Sequence, residues 1–164
     1  MQYAAASAAE IKQAQFPHNL FVTGLFMFDL LMTPAVLALK VGMIGLLIPL
    51  LFSGSLIAWI YLRSRKTTTW FVDVHWKLAY ARARLLMMGY AVSALLVFTA
   101  WLISLASHDP NMQHILWTAL TRIALMPTLI MVMVTAVLEF GASAIAAKRE
   151  VPDKLAAAMP PPAA

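Results

Sequence analysis

Two side chains in this sequence carry charge where their neighbours offer no water: Asp29, within the apolar stretch 20–39, and Arg122, within 115–138. A charged residue at the centre of a membrane helix costs about 2.5–3.5 kcal/mol on insertion scales, so such residues are paired, wetted or part of a pathway. Counted from the outer end of each stretch, Asp29 lies about 15 Å deep and Arg122 about 11 Å, a difference that an arginine side chain spans. The expectation is an intramembrane ion pair, Asp29 with Arg122. A proton or ion path would add Thr33 beside Asp29 and Thr118 beside Arg122. Glu139, at the inner exit of the fourth stretch, is expected to meet Arg82, Arg84 or water.

The four histidines raise the question of a metal or haem. Bis-histidine ligation of haem b across His18 and His75 is the one cofactor arrangement the sequence suggests, with a plain interfacial role as the simpler account. His108, Asp109 and His114 match no standard zinc spacing, and turn chemistry already explains Asp109. No metal is expected. The serines within the apolar stretches have no histidine at their depth to act as a base, so nucleophilic catalysis is not expected either. Cysteine is absent, which removes disulfides, thiolate metal sites and iron–sulfur clusters together.

The elements that must position these residues follow from composition. Of 164 residues 62% are hydrophobic and 12% charged, against about 45–50% and about 25% in a soluble domain. The apolar residues form continuous blocks, the mark of membrane spans. The expected fold is all-α: an integral membrane protein with an antiparallel bundle of four transmembrane helices, spanning about 20–39, 43–62, 85–106 and 115–138. A tight hairpin at Lys40-Val41-Gly42 joins the first two, and Pro34 is expected to kink the first. Flanking the membrane domain 17–147 are an N-terminal cytoplasmic segment, 1–16, and an Ala/Pro-rich tail, 148–164, expected to be disordered.

Between the second and third spans, residues 63–84 hold six of the twelve basic residues with two tryptophans and a tyrosine, a mixture suited to a headgroup interface. Thr67–Thr69 are expected to cap the third helix, with Asp73 and Lys77 paired along it. Trp70, Phe71, Val74 and Leu78 recur at helical spacing and form one apolar face. That face is expected either to rest in headgroups or to dock another subunit.

Four spans put ten cationic residues on the side of both termini and only Lys40 on the other. This bias predicts cytoplasmic termini in a bacterial inner membrane and explains the net charge of +5 without nucleic acid. No motif names a reaction. The first functional expectation is a non-catalytic accessory or scaffold subunit of a larger inner-membrane complex; the alternative is a small homo-oligomeric transporter or ion-conducting protein using Asp29 and Arg122. A membrane haem carrier or membrane enzyme comes third. Expected partners are lipids and other membrane subunits or copies of the chain itself. The topology has a direct check: reporters inserted within 63–68 should be active only in cytoplasmic form, and at 109–113 only in external form. A cytoplasmic signal at 109–113 would rule out four spans.

Overall fold

The computed structural model describes residues 1–39 and 43–162. The expected hairpin at Lys40-Val41-Gly42 lies outside them. Among the described residues helix makes up 83% and there is no strand. Four helical stretches are long and apolar enough to cross a membrane: Ala8–Ala38, Ile44–Ser64, Trp70–Leu105 and Pro110–Ala147. With 31, 21, 36 and 38 residues, all meet the length of about 20 that a bilayer core requires. Their surfaces agree. Ile44 is 79% exposed, and Leu51, Phe52, Trp59, Leu95 and Val137 also lie open, a display of large apolar side chains that only a non-aqueous surround tolerates on this scale.

Within these stretches the chain forms α1 (Ala8–Gly24), a π-helical segment (Leu25–Met32), α2 (Thr33–Ala38), a 3-10 turn (Met43–Leu46), α3 (Leu47–Ser64), α4 (Trp70–Leu105), α5 (Pro110–Ala124), α6 (Met126–Ala147) and α7 (Asp153–Ala158). α1 begins earlier than the first span because Ser7 and Glu10 close a reciprocal capping box: Glu10 N–H donates to the Ser7 hydroxyl and Ser7 N–H to the Glu10 carboxylate. Pro34 has no N–H to give and crowds the carbonyl four residues back, and the helix immediately before it widens into the π form. Pro127 acts on the fourth stretch, where helix breaks at Leu125 between α5 and α6. α4 begins directly after the threonines expected to cap it, with the Thr69 carbonyl accepting from the Asp73 N–H. Asp73 accepts from both the N–H and the hydroxyl of Thr68, and Lys77 reaches the sulfur of Met159 instead of Asp73.

Two compact units divide the chain, Met1–Ala83 with Ala136–Ala164, and Arg84–Thr135. In the first, residues near the two ends of the sequence form a clasp over the start of α4. Tyr3 N–H donates to the Arg149 carbonyl, Val151 N–H to the Met1 carbonyl, and the Trp70 indole to the Met159 carbonyl. Arg149 takes a left-handed backbone, φ 59°, to turn the chain there. The Met1 ammonium sits 2.7 Å from Asp153, and this hydrogen bond and its charge hold the Asp153 carboxyl below the usual carboxylate range. Segment 148–164, expected to be disordered, thus contains α7, with Val151 and Ala156 buried against Phe71 and Val74. Alanine supplies what the composition concealed: Ala6, Ala14, Ala146 and Ala156 let backbones approach closely enough to cover aromatic rings.

Close approach also shapes each unit at one glycine. In the first, a Cβ on Gly24 would lie 2.0 Å from the Leu56 Cδ2; in the second, one on Gly89 would lie 2.7 Å from the Met131 Cβ and 2.8 Å from its Cγ. Only the tip of Leu56 obstructs the first, whereas the root of Met131 obstructs the second. Gly89→Ala should lower stability by about 1–3 kcal/mol through overpacking, while Gly24→Ala should cost much less, because the tip of Leu56 can turn aside. Met131→Ala should not restore the Gly89 variant, since its Cβ remains, as read by thermal melts in detergent. Equal losses at both glycines would mean that helix packing differs from that described.

Candidate functional site

The first unit buries a line of titratable side chains from three helices. His18 lies on α1, one residue after Pro17, on the face that also buries Ala14, Phe21 and Val22. His75 lies on α4, on the face that includes Phe71, Val72 and Ala79. Glu139 comes from α6, near the buried Ala136 and Ala142. All three have no exposed surface, a placement that carboxylates and imidazoles tolerate only with partners.

The partners are one another. His18 Nδ1 lies 2.6 Å from Glu139 Oε2, and His18 Nε2 lies 3.0 Å from His75 Nδ1. The two imidazoles meet edge to face, 5.2 Å between centroids at 83°, and Phe71 packs its ring against His75 at 4.9 Å. Arg82, about two turns beyond His75 on α4, brings its guanidinium to 3.6 Å from Glu139 Oε1, longer than a hydrogen bond, and donates to the Leu138 carbonyl. At either end an atom is left over. His75 Nε2 and Glu139 Oε1 are buried without a hydrogen-bond partner of normal geometry.

The result is a hydrogen-bonded relay from carboxylate through imidazole to imidazole. With His18 and His75 both neutral, His18 Nδ1–H donates to Glu139 and His75 Nδ1–H donates to His18 Nε2, leaving His75 Nε2 as a bare acceptor. If a proton arrives at His75 Nε2, the Nδ1 proton passes to His18 Nε2. His75 is then neutral again, and the positive charge rests on His18 against the Glu139 carboxylate. One proton enters and none is lost.

The sequence had singled out His18 and His75 as an axial pair for haem b. The structure brings them together, but by a hydrogen bond between ring nitrogens that leaves no gap for a macrocycle between the rings. Both nitrogens of His18 are turned to protein groups, and among the described residues no group of three or more His, Cys, Asp or Glu side chains is arranged to hold a metal ion. Glu139 does meet Arg82, one of the partners anticipated for it. What sequence reasoning missed was that Glu139 reaches His18. Both residues were placed outside or at the margin of the spans, and they are 121 positions apart.

The other sites anticipated from sequence fall as follows. Asp29 is half-buried in the π-helical segment, and its carboxylate accepts from the hydroxyl of Ser53 on α3 at 3.1 Å. Thr33 donates to the Phe28 carbonyl. Arg122 and Thr118 belong to the second unit, where Arg122 is exposed and Thr118 half-buried on α5. At the face expected to rest in headgroups or dock a subunit, Phe71, Val74 and Leu78 are buried and Trp70 is half-buried, and the clasp packs against Trp70, Phe71 and Val74. Arg63, one of the basic residues of segment 63–84, lies over the Trp76 ring at 5.1 Å.

Comparison with family models, curated proteins and solved structures finds no match. The geometry alone bears on function. Breaking a buried ion pair by removing one member costs about 3–5 kcal/mol, since the other is left buried and unanswered. Glu139→Ala should therefore destabilise the chain by this order in detergent, and Glu139→Leu combined with Arg82→Met should recover much of the loss. Additive losses in that cycle would show that Glu139 and Arg82 are not coupled.

Proposed function

We propose that this chain is a small integral membrane protein that handles protons, a proton-coupled transporter or proton-conducting protein in which Glu139, His18 and His75 form the relay. One observation carries the reading: the unbroken hydrogen-bonded line of carboxylate and two imidazoles, wholly buried, with an unsatisfied nitrogen at one end and an unsatisfied oxygen at the other. Carboxylate–histidine chains within membrane proteins mark proton relays and ion paths, and a neutral imidazole donates through one ring nitrogen while accepting at the other. Arg82 has a supporting role, setting a positive charge 3.6 Å from the Glu139 carboxylate at the far end of the line from His75. The basic residues at 63–84 and 148–154 support an orientation with both termini in the cytoplasm of a bacterial inner membrane. Lipid covers the exposed apolar faces.

The accessory-subunit reading rests on the small size, on the lack of a soluble catalytic domain and on the aromatic-basic segment 63–84, within which the clasp packs against Trp70, Phe71 and Val74. The two readings part on a simple measurement. The purified protein alone, in liposomes with an entrapped pH dye and an imposed potassium diffusion potential, should dissipate the proton gradient faster than empty liposomes. His18→Gln should slow this about 100-fold, the contribution typical of a positioned proton-transfer group. Wild-type protein that is folded by circular dichroism yet silent in this assay would overturn the proposal, as would an intense Soret band in the purified protein, which would return His18 and His75 to haem.

A further inference from the structure

Asp29 is a charge in the first unit that neither relay nor clasp uses. It sits inside the π-helical segment Leu25–Met32, among Phe26, Met27 and Leu31, whose side chains are exposed. A π turn carries more residues per turn than an α turn and recurs at functional sites. Here Pro34 follows the widened stretch, and Thr33 stabilises it by donating its hydroxyl to the Phe28 carbonyl at 3.1 Å. Across from it on α3, Ser53 is 1% exposed and points its hydroxyl at Asp29 Oδ2. Phe28 stacks on Phe52 at 5.3 Å and 22°, which packs the π segment against α3 beside this contact.

The chemistry of that pair suits a proton that comes and goes. A serine hydroxyl donates to an ionised carboxylate and accepts from a carboxylic acid, so the contact survives in both states by rotation of one O–H. A carboxyl set in hydrocarbon without such a group would be favourable in one state only. We propose that Asp29 and Ser53 form a proton-binding site in the first span, at which the carboxyl takes up and releases a single proton. It lies roughly three turns, or about 16 Å along the axis, from His18 on the same helical stretch. The site stands on its own observations, and where the relay also holds, the first span carries two proton stations.

A hydrophobic carbodiimide tests this without any transport assay. The reagent adds across a carboxyl that holds a proton: the O–H adds to a C=N bond, and rearrangement leaves the whole reagent on the side chain as a stable acylurea. The full chain in phosphatidylcholine vesicles would be treated with dicyclohexylcarbodiimide, digested and mapped by mass spectrometry. Asp29 should be modified, more than the fully shielded Glu139, with a yield falling about tenfold per pH unit above a midpoint. Ser53→Ala should shift that midpoint while leaving helix content unchanged, and Asp29→Asn should abolish the modification in that peptide.

Several results would overturn the site. An Asp29 that stays unmodified, or one modified independently of pH, between about pH 5 and about pH 9 does not exchange a proton in the accessible range. An unchanged midpoint in Ser53→Ala removes the serine from the site. Protection by added sodium at constant ionic strength makes it a metal-cation site instead. Modification that occurs only in Arg122→Gln would mean that Asp29 is held as an ion pair. Failure of proton flux in liposomes, with Asp29 modified as expected, would remove the relay and leave this site standing.

Discussion

Glu139 has no surface open to solvent, and the cost of burying a carboxylate is large enough that its surroundings must be built around it. Three helices are held to that requirement. His18 fixes the rotation of α1, since Pro17 and Phe21 are buried on the same side. Arg82 and His75 fix the rotation of α4, and Glu139 itself that of α6. The apolar contacts of the first unit are mostly alanine, valine and phenylalanine, with little directional preference. The hydrogen-bonded line supplies it, because sliding any one helix by a residue would leave an ionisable group buried and unanswered. Such a network stabilises less than its Coulomb energy suggests, and its greater effect is to exclude other packings.

The parts of this fold that were legible in the sequence are those governed by hydrocarbon content. Four stretches of sufficient length follow from counting apolar residues, and the unbroken helix from Trp70 follows from the absence of glycine and proline before Gly89. Pro34 marked the irregular turn of the first span, although sequence gave only a kink where the structure has a π stretch. The relay was illegible for a physical reason. Each of its members is a single residue near the end of a span, and nothing local distinguishes a histidine facing water from one facing a carboxylate 121 positions later. A usable signal did exist in the helix lengths: α1, α4 and α6 continue beyond the expected spans, so residues assigned to the surface acquire neighbours on three sides.

The face at Trp70–Leu78 is a different case. Its amphipathic spacing marks a surface needing cover, and part of that cover comes from within the chain, where the clasp packs on Trp70, Phe71 and Val74. Composition alone shows alanine-rich segments with little apolar area. Area per residue is the wrong measure where small side chains allow backbone hydrogen bonds between segments, as between Tyr3 and Arg149 or Met1 and Val151. Those bonds fix the segments, and aromatic rings of Tyr3, Trp70 and Phe71 then stack with little further loss of freedom.

The clasp also sets a timetable for biogenesis. Its contacts join residues 150 positions apart, and the Trp70 indole waits for a carbonyl 89 residues downstream. At about 5–20 residues per second, the apolar beginning of α4 stays uncovered for roughly 4–18 s after it is made. During that interval the later spans must be inserted while Phe71 and Val74 face headgroups or water. The basic side chains around this stretch are suited to the wait. In the proposed orientation they favour the surface of an anionic membrane, where an amphipathic helix rests reversibly, until the segment holding Val151 and Ala156 covers the same side chains.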